Sequence, residues 1–103
     1  MANLPLQQKI YQCVSKIQKG SVLTYGQIAK QLGLKSPRIV GFYLHKNTNP
    51  EKIPCHRVIF SDGSLSKAYA FGGEKVQRKK LISEGVFFSP SGKVKDIGRK
   101  RHL

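Results

Sequence analysis

The sequence predicts a single, mainly α-helical domain of the winged helix-turn-helix type, with a small β element. Its 103 residues suffice for one hydrophobic core but not for two, and hydrophobic residues make up 39% of them. Apolar residues recur at helical spacing in several stretches, whereas the stretches of extended type are short. We therefore treat residues 1–103 as one domain and expect a flexible, basic tail over about residues 95–103.

The first helix is predicted within residues 4–17. Spacings of three and four place its apolar residues on one face, namely Leu6, Ile10, Cys13, Val14 and Ile17. Cys13 lies within this stripe, so we expect it to be a buried and inert core residue. The helix ends before Gly20, and residues 21–23 are predicted to be a short extended link.

Two short helices follow, each with its own start signal. Thr24 and Gln27 have the spacing of a capping box, which opens a helix that ends at Gly33. Ser36 then supplies a capping hydroxyl, and a proline at the first helical position opens a helix over about residues 37–45. We expect the first of these helices to bury Ile28, Ala29 and Leu32. This arrangement is typical of a helix-turn-helix.

The charge balance gives the first indication of function. Nineteen Lys and Arg residues face five Asp and Glu residues, which gives a net charge of +14 and a pI near 10.2. A chain this basic generally binds a polyanion, and with a helix-turn-helix it favours DNA, with the second helix in a groove. A basic surface without a specific partner remains an alternative. A membrane surface is disfavoured, because the chain has neither an 18-residue apolar run nor a strongly amphipathic Lys/Trp helix.

The second half of the chain alternates short extended and helical stretches. We predict a strand at residues 58–60, a turn at 61–64 and a glycine-rich loop at 66–73. A helix over about residues 74–84 follows, and residues 86–94 are predicted to form a small hairpin or wing. The helix is expected to bury Val76, Leu81 and Ile82.

Cys55 is the candidate nucleophile. It follows Pro54, which restricts the local backbone, and precedes His56 and Arg57, which favour a thiolate when they lie close to the sulfur. From local chemistry alone, a reactive and a structural Cys55 are both open. The N-terminus has no secretory signal, so we expect an intracellular protein, in the cytoplasm or with DNA in a nucleoid or nucleus, whose thiols are reduced. No cysteine or histidine cluster has zinc spacing, so we expect no metal site.

Residues 54–58, Pro-Cys-His-Arg-Val, resemble the active-site pentapeptide of the O6-alkylguanine-DNA alkyltransferases, also called methylated-DNA–protein-cysteine methyltransferases. The resemblance extends over roughly residues 4–88. It includes the helix-turn-helix ahead of the motif and an ordered set of further residues, namely Tyr25, Arg38, Asn47, Gly72, Gly73 and the tripeptide at 83–85. A pentapeptide alone can arise by chance, whereas this ordered set is specific.

The resemblance implies a single-turnover transferase that needs no cofactor. Cys55 would accept the alkyl group from O6 of guanine, His56 would take its proton directly or through a water, and Glu84 would orient the imidazole. Asn47 would brace the loop before the active site. Tyr25 would lie near a flipped-out base and donate a hydrogen bond or proton to it, although a purely hydrophobic role at the turn is the alternative.

The resemblance also implies the DNA contacts. Arg38 would fill the stack that the flipped nucleotide leaves, although it could equally be one phosphate contact among several. Further DNA contacts are expected from Tyr25, Lys35, Ser36 and Arg57. The substrate loop is expected to include Tyr69, Phe71, Gly72 and Gly73.

Two features depart from the family pattern. Phe42 and Tyr43 stand where the typical enzyme has small residues, so these aromatics either face the core or alter the groove contact. The loop at residues 67–73 is about two residues longer than the usual one and is similar to that of alkyltransferase-like proteins. Those proteins bind the lesion but carry Trp or Ala in place of the cysteine. They lack a separate N-terminal domain, and we expect the same of this protein.

Three functions are therefore weighed. The first is alkyl transfer from double-stranded DNA that contains O6-alkylguanine to Cys55, by a monomer. The second is an alkyltransferase-like protein that recognises the lesion without transfer and signals to excision repair. The third is a plain helix-turn-helix DNA-binding protein with an incidental cysteine. The presence of Cys55, His56 and Glu84 favours the first.

Overall fold

A computed structural model describes residues 4–67 and 69–95. Within them lie four α-helices and two short strands, and a 3-10 turn at Cys55–Arg57 immediately precedes the second strand. The helices are α1 Leu6–Ser15, α2 Tyr25–Gln31, α3 Pro37–Leu44 and α4 Gly73–Ser83, and the strands are β1 Leu23–Thr24 and β2 Val58–Ile59. The prediction of a mainly α fold with a small β element is confirmed. Most of the expected basic tail, residues 96–103, lies outside the described residues.

The helix-turn-helix forms through the caps that the sequence predicts. Thr24 Oγ1 accepts a hydrogen bond from the Gln27 amide at 3.0 Å, and Gln27 Oε1 accepts one from the Thr24 amide at 2.8 Å, which completes the capping box of α2. Ser36 Oγ accepts from the Arg38 amide at 3.2 Å at the start of α3. Helices α2 and α3 pack against each other. The start of α3 is thus fixed by a bond to its backbone, and capping does not involve the outward side chains of the helix.

The predicted extended link before α2 is extended at Leu23, where it also forms part of a strand that the sequence did not indicate. β1 pairs in parallel with β2, with Leu23 opposite Val58 and Thr24 opposite Ile59. A parallel partner lies far along the chain, so two extended residues give no local signal of the pairing. Because of this pairing, the 3-10 turn that contains Cys55 lies next to the start of α2. This is the contact that brings the two halves of the site together.

The prediction for the inward face of α4 holds for Leu81 and in part for Val76, but it is wrong for Ile82. Leu81 is fully buried and Val76 packs partly buried against the core, whereas Ile82 is 55% exposed and the polar Gln77 is only 1% exposed. The Gln77 Nε2 group donates hydrogen bonds to the carbonyls of His56 at 2.9 Å and Val58 at 3.0 Å. The buried amide group of Gln77 thus supplies donors to two backbone carbonyls at and just after the 3-10 turn.

The wing packs against α4 and β2. A single antiparallel bridge joins Phe88 to Val94, so the predicted hairpin forms in its shortest version. Val94 belongs to a cluster of buried residues with Ile59, Leu65, Leu81 and Val86, beside the larger cluster that α1, α2 and α3 form. No helix within the described residues is long and apolar enough to cross a membrane.

Candidate active site

A cavity of about 500 Å³ opens beside helix α3. Helix α3 supplies one wall, and the start of α2, the 3-10 turn and the loop before α4 supply the others. Its lining includes a cysteine, an arginine, a histidine, a lysine and four aromatic rings, namely Cys55, Arg38, His45, Lys46, Tyr25, Phe42, Phe60 and Tyr69. A flat apolar ring system with polar edges suits such a space, since ligand pockets generally combine aromatic walls with a few polar groups.

Cys55 lies at the base of this cavity and is only 5% exposed. Asn47 Nδ2 donates to Cys55 Sγ at 3.5 Å and to the Ile53 carbonyl at 2.8 Å, and Asn47 Oδ1 accepts from the Asn49 amide at 2.9 Å. Burial raises the pKa of the Cys55 thiol above its usual value, and the Asn47 hydrogen bond opposes this rise. The thiol is therefore neutral at neutral pH and needs a base before it can react.

His56 is held by a carboxylate behind it. The imidazole Nε2 lies 3.0 Å from Glu84 Oε2, and Glu84 also accepts hydrogen bonds from Arg57 Nε at 2.9 Å and Nη2 at 2.7 Å. Burial alone would raise the pKa of Glu84, but the hydrogen bonds from Arg57 and His56 outweigh burial and lower the pKa. Glu84 is thus ionised and can only accept hydrogen bonds, so Nε2 of His56 carries a proton.

This arrangement makes Nδ1 the basic nitrogen of His56. Burial lowers the pKa of the imidazole, and the contact with Glu84 only partly reverses the effect, so the ring is neutral at neutral pH. With Nε2 protonated, the lone pair of the neutral ring is on Nδ1. Nδ1 is buried, and no hydrogen-bond partner for it is found among the described residues. A buried acceptor without a partner beside a neutral thiol is a candidate general base.

Tyr25 and Phe60 form one side of the cavity mouth. Their ring centroids are 5.1 Å apart. Burial raises the pKa of Tyr25, although a hydrogen bond with Ser66 opposes the rise, so the phenol is neutral and able to donate. Tyr25 therefore brings an apolar ring and a neutral phenol to the cavity, and its contact with a flipped-out base stays a prediction.

The outer surface of α3 is aromatic as well as basic. Phe42 is 56% exposed and lines the cavity, so it does not face the core, and Lys46 Nζ lies 4.3 Å from its ring centroid. Tyr43 is partly buried against the larger cluster. Lys35 and Arg38 are exposed on the same part of the chain. The two aromatic residues therefore differ. Phe42 is exposed where α3 lines the cavity, whereas Tyr43 packs towards the core.

Arg57 has an internal role instead of the expected DNA contact. In addition to its two hydrogen bonds to Glu84, its Nη1 donates to the Ile17 carbonyl at 2.7 Å, and its side chain is 14% exposed. All three guanidinium nitrogens are therefore engaged within the protein. Arg57 was expected among the DNA contacts, but its side chain is directed to Glu84 at the end of α4, which requires a counter-ion.

The expected substrate loop is also only partly in the cavity wall. Tyr69 lines the cavity, whereas Phe71 packs edge-on against Tyr69 with centroids 5.8 Å apart. Gly72 and Gly73 have φ of 119° and 76° and start α4. A Cβ on Gly72 would lie 2.5 Å from a methyl group of Val76. These glycines shape the turn before α4, and neither is among the residues that line the cavity.

Two residues near the site have no counterpart among the sequence-based candidates. Gln77 donates to one carbonyl within the 3-10 turn and to one just after it, and Lys80 Nζ donates to Tyr69 Oη at 2.9 Å. Both precede Glu84 on one face of α4, by seven and four residues. This helical spacing is the signal that could have identified them.

The fold and the site define a helix-turn-helix domain with a Cys–His–Glu set beside its second helix. The sequence profile described as "6-O-methylguanine DNA methyltransferase, DNA binding domain" matches residues 5–86. The chain belongs to this family. The expectation drawn from the pentapeptide and its ordered partners is thereby confirmed.

Relatives of two kinds are similar to this chain. The methylated-DNA–protein-cysteine methyltransferase of Thermococcus kodakarensis is 40% identical over 83 residues, which are 80% of this chain and 45% of that protein. Alkyltransferase-like protein 1 of Schizosaccharomyces pombe is 44% identical over 80 residues, which are 76% of this chain and 73% of that protein. A bifunctional methyltransferase/endonuclease of Picrophilus torridus is matched over only 28% of its length. The chain thus spans less than half of the methyltransferases that it matches here.

Solved structures show the same two kinds. The Schizosaccharomyces pombe alkyltransferase-like protein, crystallised with damaged DNA containing O6-carboxymethylguanine, superimposes with a TM-score of 0.71 at 37% identity, over 91% of this chain and 90% of that one. The O6-methylguanine-DNA methyltransferase of Pyrococcus kodakaraensis has a TM-score of 0.71 at 38% identity, over 81% of this chain and 47% of that one.

Proposed function

We propose that this protein repairs DNA by transferring an alkyl group from O6 of guanine to Cys55, once per molecule. The observation that carries the proposal is the position of Cys55 Sγ at the base of the aromatic cavity beside α3. The cavity, at about 500 Å³, has the size of an ordinary ligand pocket. An extruded purine would present its O6 substituent to the sulfur there. The family membership supports this reaction class.

DNA would reach the cavity through α3. Lys35, Arg38 and Lys46 are exposed on or beside this helix, and the net charge of +14 supplies phosphate affinity. Because O6 of guanine is inaccessible within a duplex, the nucleotide has to rotate out, which costs a few kcal/mol. Arg38, exposed at the cavity rim, would occupy the vacated stack and slow the return of the base.

The chemistry then follows from the protonation states. His56 Nδ1 would take the thiol proton of Cys55 through a bridging water, because no hydrogen bond directly joins the two side chains within the described part of the chain. Ionised Glu84 would stabilise the imidazolium that forms. The thiolate would attack the alkyl carbon, the bond from that carbon to O6 would break, and Tyr25 would donate to the departing purine. The thioether product is stable, so no cofactor is required.

Lesion recognition without transfer is the second candidate. It is favoured by the similarity to alkyltransferase-like protein 1, of which this chain covers 73%, against 45% of the Thermococcus kodakarensis methyltransferase. In this case the cavity would bind the extruded base, and the buried thiol of Cys55 would remain unreacted. The two candidates share the DNA-binding surface and differ only in the fate of the sulfur.

Intact-protein mass spectrometry separates these candidates. The protein is incubated with a duplex that carries O6-methylguanine, and we expect a gain of one methylene mass on Cys55, located by peptide mapping. Cys55→Ser should show no gain, whereas Cys13→Ser, which removes the other cysteine, should react like the wild type. Tight binding of the lesion duplex without mass gain would reject transfer and support recognition alone. No mass gain together with equal affinity for lesion and undamaged duplexes would reject both.

A further inference from the structure

Lys80 is a cation of α4 that contacts a residue of the cavity wall. Its Nζ donates a hydrogen bond to Tyr69 Oη at 2.9 Å and lies 5.5 Å from the ring centroid of Tyr69 and 5.9 Å from that of Phe71. Tyr69 is 8% exposed and lines the cavity together with Cys55. The phenol is thus fixed between an ammonium group and the space that a ligand would occupy.

The chemistry of this pair sets the direction of its hydrogen bonds. An ammonium group has no lone pair, so Tyr69 Oη is the acceptor, and the phenol keeps its own proton for a second bond. A phenol whose oxygen accepts from a cation becomes a stronger donor, because the two hydrogen bonds polarise each other. Burial raises the pKa of Tyr69, and the Lys80 contact only partly opposes this, so the proton remains on the phenol at neutral pH.

Lys80 also acts on the sulfur through space. Burial is the largest influence on the pKa of Cys55 and raises it, whereas the charge of Lys80 lowers it. The same charge lowers the pKa of His56, whose imidazolium is stabilised instead by Glu84 on the other side. The titratable or charged groups that share the cavity with Cys55 come from α2, α3 and the loop before α4, namely Tyr25, Arg38, His45, Lys46 and Tyr69.

We propose that Tyr69 is a second donor to the bound purine, beside Tyr25, and that Lys80 is the residue that positions Tyr69 and compensates the negative charge of the reaction. This inference rests on the proposed function, since it assigns further groups to the same site. During transfer, the bond from Sγ to the alkyl carbon forms while the bond from that carbon to O6 breaks. The electron pair of the broken bond remains on O6 and the purine ring.

One negative charge is therefore present in the cavity throughout, first on sulfur and then on the purine. Lys80 faces this charge in both states, which is the condition for electrostatic stabilisation of a transition state. Tyr69 needs only to share its proton with the purine and does not have to lose it. The acid that neutralises the departing guanine can be the imidazolium, which gained its proton from the thiol, so the proton balance is complete.

The test compares Lys80→Met with Lys79→Met, because Lys79 is the exposed neighbour on the same helix and its loss removes the same charge from the protein. The first measurement is the rate at which iodoacetamide alkylates Cys55 as a function of pH at low salt, followed on the Cys55 peptide. We expect Lys80→Met to raise the pH at which the alkylation rate is half of its maximum by about one unit. Lys79→Met should leave it unchanged, and Lys80→Arg should retain most of the effect.

The second measurement is methyl transfer from a lesion duplex under single-turnover conditions. Tyr69→Phe should slow transfer by about a hundredfold to a thousandfold, as loss of one donor to a developing oxyanion does elsewhere. It should leave the iodoacetamide midpoint nearly unchanged, because the cation stays in place. If the iodoacetamide rate depends on pH in the same way in Lys80→Met and Lys79→Met, the role of Lys80 is overturned. Transfer by Tyr69→Phe at the wild-type rate would overturn the role of Tyr69.

Failure of the proposed function remains distinguishable from failure of this inference. If the wild type transfers no methyl group, the iodoacetamide profile still reports the effect of Lys80 on Cys55. The Tyr69→Phe variant is then compared by its preference for a lesion duplex over an undamaged one. A preference that falls by about tenfold supports the donor role, and an unchanged preference refutes it.

Discussion

The ion pair of Glu84 with Arg57 is expected to stabilise both the fold and the site, and Glu84→Gln tests this. Both side chains are largely buried, at 10% and 14% exposed, and Glu84 accepts three hydrogen bonds of 2.7–3.0 Å from Arg57 and His56. Removing one partner of such a pair generally costs about 3–5 kcal/mol. Because glutamine keeps the shape and one acceptor oxygen, we expect the lower end, about 3 kcal/mol of unfolding free energy.

The matched control is Glu74→Gln on the same helix. Glu74 pairs with Arg78 at 3.0 Å, but these side chains are 37% and 30% exposed, and such pairs contribute less than about 1 kcal/mol. Urea denaturation at pH 7 measures both variants. If both variants unfold at the same urea concentration, the ion pair of Glu84 with Arg57 does not stabilise the fold, and its assignment as a stabilising internal pair is refuted.

The stabilisation also has a defined pH dependence. Burial lowers the pKa of His56 below its ordinary 6.5, and hydrogen bonds from Arg57 and His56 lower that of Glu84 below 4.5. The unfolded chain therefore takes up these protons at higher pH than the folded protein does. Both contributions are complete above pH 6.5 and are lost as the pH falls, first that of His56 and then that of Glu84. The stability difference between wild type and Glu84→Gln should accordingly narrow below about pH 4.5.

Three further predictions concern single residues. Arg38→Ala should slow methyl transfer from duplex DNA much more than reaction with free O6-benzylguanine, because only the duplex requires base flipping; equal losses in single-turnover assays would argue against a wedge. Gln77→Leu should lower the unfolding free energy by about 2–3 kcal/mol, since two buried carbonyls lose their donor; a neutral effect in thermal denaturation would contradict this. Gly72→Ala should destabilise the protein by more than about 1 kcal/mol, because φ is 119° and the added Cβ meets Val76 at 2.5 Å. Gly33→Ala is the control: its φ is 70° but the space around it is open, so it should cost less in the same measurement.

Local signals in the sequence were sufficient for the helices. The capping box of Thr24 and Gln27 and the Ser36-Pro37 start are both present in the structure, because a cap involves residues within three positions of each other. Helix α4 shows the limit of such signals. Apolar periodicity placed Ile82 inside, whereas the structure buries Gln77, whose amide satisfies carbonyls of a distant segment.

The sequence pointed to the members of the candidate site but not to the residues that support them. The order Cys55, His56 and a later glutamate predicts a nucleophile, a base and an orienting carboxylate, and the structure brings His56 and Glu84 into contact. Arg57 was assigned to DNA because its neighbours along the chain are reactive. Its actual partner is 27 residues away in sequence, and nothing in the pentapeptide indicates the direction of its side chain.

The sequence by itself determined what depends on residue type and short spacing: the helices and their caps, the basic charge, the family and the candidate for the nucleophile. The tertiary structure decided what depends on distant segments meeting. The β1–β2 pairing carries Cys55 to the start of α2, Glu84 selects the basic nitrogen of His56, and Lys80 reaches Tyr69. The physical reason is that hydrogen bonds and charge pairs act over a few ångströms in space, and only the folded backbone sets those distances.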